Sequence, residues 1–207
     1  MAINNMEQLN ATHFDILKEL GNIGQGNAAS SLSNMLGKPI DIAVPDVRLL
    51  DFGETVEFLG GPENIAIGML IGLSGDINGM MLYVLQKSFA NNMLQAVMGK
   101  QVEELTDLDE MDFSFVQEIG NILAGSYINA IASLTNLTID ISVPSISVDM
   151  VGAILSVPAV EFAKVSDKVL FIDDSFLIAD GEIKSNMILV PELESLSVLF
   201  SKLGVDI

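Results

Sequence analysis

FDILKELGNIGQGNAASSLSNMLGKPIDIAVP, residues 14–45, returns without a gap at residues 113–144 as FSFVQEIGNILAGSYINAIASLTNLTIDISVP. Eleven of the 32 aligned positions are identical: Phe14/Phe113, Glu19/Glu118, Gly21/Gly120, Asn22/Asn121, Ile23/Ile122, Gly26/Gly125, Ile40/Ile139, Asp41/Asp140, Ile42/Ile141, Val44/Val143 and Pro45/Pro144. The chain is therefore a duplicated unit. Two copies are too few, and each is too long, for a solenoid.

Each copy opens with apolar residues at helical spacing, which predicts long helices over about 8–36 and 107–135. Thr106 or Asp107 is a candidate cap for the second. Gly37 and Asn136 suit the two helix ends. An alternating strand follows in each copy, IDIAVP or IDISVP, and Pro45 and Pro144 read as its end. Further strands are expected at about 54–59, 65–73 and 77–85, and at 152–158, 169–178 and 183–190. A short helix closes each half, KSFANNMLQAVMG (87–99) and LESLSVLFSKLG (193–204). This order argues an α+β fold with an antiparallel sheet. A half of about 100 residues has a thin core by itself. The expectation is one domain over 1–207, made of two pseudo-symmetric halves (about 8–100 and 107–205). They share one mainly antiparallel sheet about a pseudo-twofold axis, carry two long exposed helices, and cross over through the acidic stretch 102–112.

Composition narrows the chemistry. Half of the 207 residues are hydrophobic, Trp is absent, and there are 11 Met, which serve as adaptable core filling. The 28 acidic residues against nine basic ones give a net charge of −19. Such a chain repels nucleic acid and anionic membrane surfaces and attracts a partner with basic groups around its site. With no Cys, thiolate metal sites, disulfides and Cys nucleophiles are excluded. No secretory signal is visible, and the longest apolar run, IAIGMLIGL (65–73), is too short to span a bilayer. A cytoplasmic location is expected.

The duplicated helices carry a polar device. With Asp15 at zero on a wheel of about 100° per residue, Glu19 falls near +40°, Asn22 near −20° and Gly26 near +20°. Ile16, Leu17, Leu20 and Ile23 lie at roughly 80–200°. Ser114, Glu118, Asn121 and Gly125 form the equivalent stripe. Gly21 and Gly120 read as facing away from the core, with close helix packing as the alternative. A solvated helix face would account for one Glu/Asn pair. It does not account for two at the same register, because Asn is a mediocre helix former. No Ser–His pair exists, and the lone His13, opposite Asp112, reads as a surface residue. A second carboxylate for acid–base work is missing where Ser114 stands for Asp15. One carboxylate and one amide fall short of a metal shell. What remains is an amide able to orient a water and a carboxylate able to anchor a cation.

Asp15–Glu19–Asn22–Pro45 and Ser114–Glu118–Asn121–Pro144 fit one pattern: Asp or Ser, three residues, Glu, two residues, Asn, twenty-two residues, Pro. In this the chain resembles the CheC family of bacterial chemotaxis phosphatases, which includes CheX and FliY. The resemblance implies hydrolysis of the aspartyl phosphate on a CheY-type response regulator. Asn22 and Asn121 would enter the regulator and align a water. Glu19 and Glu118 would bind a regulator lysine. Mg²⁺ is expected in the regulator, and the chain itself needs no cofactor or metal. Asp15 and Ser114 would support the site, Pro45 and Pro144 would be architectural, and Gly26 and Gly125 would leave room for the regulator's loops. The resemblance also implies a second partner, the receptor deamidase CheD, with VDMVGAILSVPAVEF (148–162) around Asp149 as the docking candidate. The alternative is a regulatory adaptor that binds CheD with weak or no hydrolysis. A motor-switch component is a third reading. A monomer is expected.

Overall fold

The computed structural model describes residues 3–162, 167–178 and 181–205. The first half runs α1 (Ala11–Leu36), β1 (Asp41–Ile42), β2 (Asp46–Asp51), α2 (Phe52–Phe58), β3 (Ile65–Gly75), β4 (Gly79–Leu85) and α3 (Lys87–Met98). The second repeats that order as α4 (Glu110–Thr135), β5 (Ile139–Ile141), β6 (Ser145–Met150), α5 (Val151–Phe162), β7 (Lys168–Ile178), β8 (Gly181–Pro191) and α6 (Leu193–Lys202).

Among the described residues all strands join one eight-stranded antiparallel sheet in the order β1-β7-β8-β4-β3-β5, with β2 also on β7 and β6 also on β3. Exchanging each strand for its counterpart leaves this order unchanged, which is the signature of a pseudo-twofold. The axis passes between β4 and β8, where Leu82 faces Ile188. The outer strands are exchanged: β1 and β2 of the first half pair with β7 of the second, and β5 and β6 pair with β3.

Helices cover both faces. Leu17, Leu20, Leu32, Val116, Ile119 and Leu123 of α1 and α4 pack on Ile67, Met69, Ile71, Leu170 and Ile172. The alternate residues Ala66, Val84, Val169, Phe171 and Ile188 meet Leu59, just after α2, and Val151, Ile154 and Leu155 of α5. The apolar run 65–73 is thus a strand buried on both sides rather than a span. Among the described residues no helix is long and apolar enough to cross a membrane.

Several expectations are corrected. Residues 54–59 and 152–158 lie in or against helices, α2 and α5, not strands. Asp51 and Glu54 form a reciprocal capping box that starts α2, with Glu54 N–H donating to Asp51 Oδ1 at 2.8 Å and Asp51 N–H to Glu54 Oε2 at 2.9 Å. In α5 the β-branched Val and Ile content imitates a strand. The second long helix is capped by Asp109, whose Oδ1 accepts from Met111 N and Asp112 N, not by Thr106 or Asp107. Pro45 and Pro144 do not end a strand. They interrupt one, since β1 and β2 lie along the same partner, as do β5 and β6. These are the sheet's outer strands, where a missing N–H breaks no ladder. Gly37 and Asn136 end α1 and α4 in the left-handed conformation, as expected (φ 64° and 55°).

His13 is buried, not on the surface. Its Nδ1 accepts from Asn10 N–H at 3.0 Å to close the cap of α1, and its ring meets Phe200 of α6 edge-on at 4.4 Å. Burial lowers its pKa below the ordinary histidine value. Asp112 holds the same place in α4, buried and paired with Lys100 Nζ at 2.5 Å. Gly21 and Gly120 are buried too. A Cβ on Gly21 would stand 3.1 Å from Pro45 Cγ, and one on Gly120 would stand 2.7 Å from Met69 Sδ.

Candidate functional site

The polar stripe faces outward in both copies. Asp15, Glu19, Ser114, Glu118 and Asn121 are exposed, and Asn22, Gly26 and Gly125 are half-buried. Leu17 and Leu20, on the opposite arc of α1, are each 1% exposed. The wheel therefore placed the stripe correctly. Glu and Asn three residues apart on a helix have Cβ atoms about 5–6 Å apart, so each pair presents its carboxylate and carboxamide side by side.

None of the four side chains, Glu19, Asn22, Glu118 or Asn121, is held by a hydrogen bond or ion pair among the described residues, and each keeps its full capacity to donate or accept. Ser114 Oγ instead donates back to Glu110 O at 2.9 Å. Asp15 makes no such bond. Each pair sits mid-helix, two turns or more from either end, where the α1–α4 packing holds the backbone. These two helices contact each other more than either contacts any other element. Their approach is close at Gly24, where a Cβ would lie 2.8 Å from Tyr127 Cα. A bare backbone is required there.

Over the stripe the surface is open. A Cβ on Gly125 would meet nothing within 4 Å, and one on Gly26 would meet only Ile42 Cδ1 at 3.8 Å. Pro45 and Pro144 are buried against the helices. The two copies differ at their margins. Lys18 reaches Asp46 at 3.8 Å beside the first, whereas Gln117 Nε2 donates to Pro144 O at 3.3 Å beside the second. Among the described residues no group of three or more His, Asp or Glu is placed to hold a metal ion.

Asp149 stands elsewhere. It is exposed on β6 and lines a groove of about 200 Å³ with Ser145, Ser147, Ala153, Ile154 and Val157. That groove is on the α5 side of the sheet, away from the Glu/Asn stripes. Two features escaped the sequence reading. Val44 and Val143, next to the packed prolines, are 79% and 74% exposed. Gln25, Tyr83, Tyr127 and Asp174 form a buried polar group beneath α1. The exposed valines carried a signal, since both are identical positions of the repeat. The buried group carried none, since its members are scattered along the chain.

Comparisons with known proteins agree with this architecture. The family model described as CheC-like matches residues 3–48 and 111–148. The chain is 36% identical over 197 residues to a Bacillus subtilis (strain 168) protein named CheY-P phosphatase CheC, covering 93% of this chain and 94% of that one. Among solved structures it is similar to Thermotoga maritima FliY, with a TM-score of 0.76 at 24% identity over 95% of this chain and 98% of that one. It is also similar to the middle domain of FliM from H. pylori, with a TM-score of 0.69 at 12% identity over 94% and 99%. Both structural likenesses concern the fold alone.

Proposed function

The chain belongs to the CheC-like family, and from that premise we propose that it is a phosphatase of a phosphorylated CheY-type response regulator, with one site on each long helix. The observation that carries this reading is the pair of outward-facing, unpartnered Glu/Asn couples at equivalent turns of α1 and α4.

In this reading the regulator supplies the aspartyl phosphate and the Mg²⁺ bound beside it. Asn22 or Asn121 enters the regulator's pocket, and its carboxamide orients a water for in-line attack on phosphorus. The bond from phosphorus to the aspartyl oxygen breaks, the carboxylate leaves, and inorganic phosphate is released. Glu19 or Glu118 binds a regulator lysine and fixes the approach. The chain forms no covalent intermediate; its contribution is positioning. Gly125 supports this reading by leaving the surface free at the turn beyond Asn121, and at Gly26 a Cβ would meet only Ile42 Cδ1, at the ordinary contact distance of 3.8 Å. Asp15 and Ser114, one turn before each Glu, border the same stripe.

The test is decay of the phosphorylated regulator with and without the chain. Asn22→Ala with Asn121→Ala is expected to lower stimulated hydrolysis by about 100-fold or more while the helix signal and unfolding temperature persist. Each single variant retains part of the rate. Full activity of the double variant overturns the assignment.

A second reading, an adaptor for the deamidase CheD, is favoured by the groove around Asp149. Since that groove and the stripes occupy opposite sides of the sheet, the two roles are compatible. Asp149→Ala weakens deamidase binding and leaves hydrolysis intact if the groove is the docking surface.

A further inference from the structure

Between β1 and β2 the chain leaves its ladder at Val44 and Pro45 and runs beside α1, after Ala43 N–H has donated to Ser175 O at 3.0 Å; between β5 and β6 Val143 and Pro144 do the same beside α4, after Ser142 N–H has donated to Gly72 O at 3.0 Å. Two contacts fix the first passage. Ile42 Cδ1 lies over Gly26, and Pro45 Cγ lies against Gly21. Those glycines are five residues apart, about 7.5 Å along the helix. Val44, between Ile42 and Pro45, therefore passes the turn that carries Asn22. In the second passage one contact does this: Pro144 lies 3.9 Å from the Cβ position of Gly120, which places Val143 along the turn of α4 that carries Gly120 and Asn121, while nothing comes within 4 Å of Gly125.

These valines are turned to solvent, at 79% and 74% exposure. Scattered exposed apolar residues are ordinary. Two at the same place in a repeat, each beside an outward polar pair, are a pattern. A valine this exposed adds little to the core, and a polar residue would serve the loop as well. The position is nevertheless identical in both halves, while most of the repeat has diverged.

We propose that Val44 and Val143 are apolar anchors that hold the response regulator at each site. Each packs on an apolar patch at the rim of the regulator's phosphorylation pocket while the neighbouring Asn enters it. The inference rests on the phosphatase reading and deepens it. The occupant follows from continuity with the stripe, because whatever Asn22 reaches into must also cover Val44. An apolar contact of this kind is the same before and during phosphoryl transfer. It sets how tightly the regulator is held rather than how fast the bond breaks.

The experiment uses the full chain and follows turnover against concentration of the phosphorylated regulator. Val44→Ser is measured with Asn121→Ala, which isolates the first site, and Val143→Ser with Asn22→Ala, which isolates the second. In each pair the Ser variant is expected to raise KM by about tenfold and to change kcat by less than about twofold. Val→Ile at the same position restores KM, and unfolding temperatures match across the set. An unchanged KM in both pairs overturns the proposal, as does a fall in kcat with KM unmoved. The Asn22→Ala, Asn121→Ala double variant keeps the parent reading separate. If it stays active, the phosphatase assignment itself fails, and if it is inactive while KM is unmoved, only the anchors fail.

Discussion

Asp174 on β7 faces the underside of α1 and is 7% exposed, and its Oδ1 finds no hydrogen-bond partner among the described residues. Tyr127 OH and Gln25 Oε1 are likewise buried without partners, around a cavity of about 10 Å³ that Tyr83 also lines. Gln25 is tied to the sheet through Nε2, which donates to Ser175 O at 3.1 Å. At the positions matching Gln25 and Tyr127 the other half carries Ala124 and Ala28, so this polar group belongs to one side of the pseudo-twofold. Burial, and then the neighbouring Asp173, hold the Asp174 carboxyl well above the usual carboxylate range. Burial, and then Asp174, push the Tyr127 hydroxyl up as well. The sign for stability follows. The folded chain keeps a proton on Asp174 that the unfolded chain releases above about pH 4, so stability is lost as pH rises from that value towards the folded pKa. Asp174→Asn removes the loss. The variant is expected to be more stable than wild type at pH 7 by about 1–3 kcal/mol, with the gap closing below about pH 4. Urea unfolding at pH 7 and pH 3.5 measures both ends, and a variant no more stable at pH 7 contradicts a neutral Asp174.

The helices show how one residue type serves two ends. At Gly24 a methyl would meet the Tyr127 backbone, which side-chain rotation cannot relieve. Gly24→Ala is expected to destabilise by about 1–3 kcal/mol through forced separation of α1 and α4, despite a helix-propensity gain of about 1 kcal/mol. At Gly125 nothing stands in the way. Gly125→Ala is expected to raise stability by about 0.5–1 kcal/mol. If the regulator approaches there, the same methyl lowers second-site turnover, read in an Asn22→Ala background. Thermal unfolding of the two variants should move in opposite directions. The long helices and their outward stripe were legible because apolar residues at period 3.6 report one face without reference to the rest of the chain. The burial of Gly21 was not, since Pro45, 24 residues on, packs against it. Short elements were harder. TVEF (55–58) alternates like a strand, whereas the Asp51–Glu54 box is the local signal that makes it helical.

At the scale of the whole molecule, the decisive feature is the exchange of outer strands. Among the described residues, within the first half only β3 and β4 pair with each other, and within the second only β7 and β8 do. Every other strand pairing crosses between halves. A two-stranded hairpin is marginal in water. Chains 1–100 and 101–207 made separately are therefore expected not to fold as monomers, and mixing them is expected to restore helix signal and a single unfolding transition. Circular dichroism and size-exclusion chromatography check this, and a folded, monomeric half contradicts it. The amino-acid sequence by itself determined that the chain is a duplication, where its long helices and central hairpins fall, and that a Glu and an Asn face outward twice. Each of these depends on neighbours within a few residues, through backbone hydrogen bonding and side-chain period. Only the tertiary structure decided that β2 pairs with β7 rather than with its own half, that Phe200 buries His13, and that Val44 is left in solvent while its neighbour Pro45 packs against α1. Those outcomes depend on groups brought together from distant parts of the chain, and burial and pairing are properties of that meeting rather than of either partner alone.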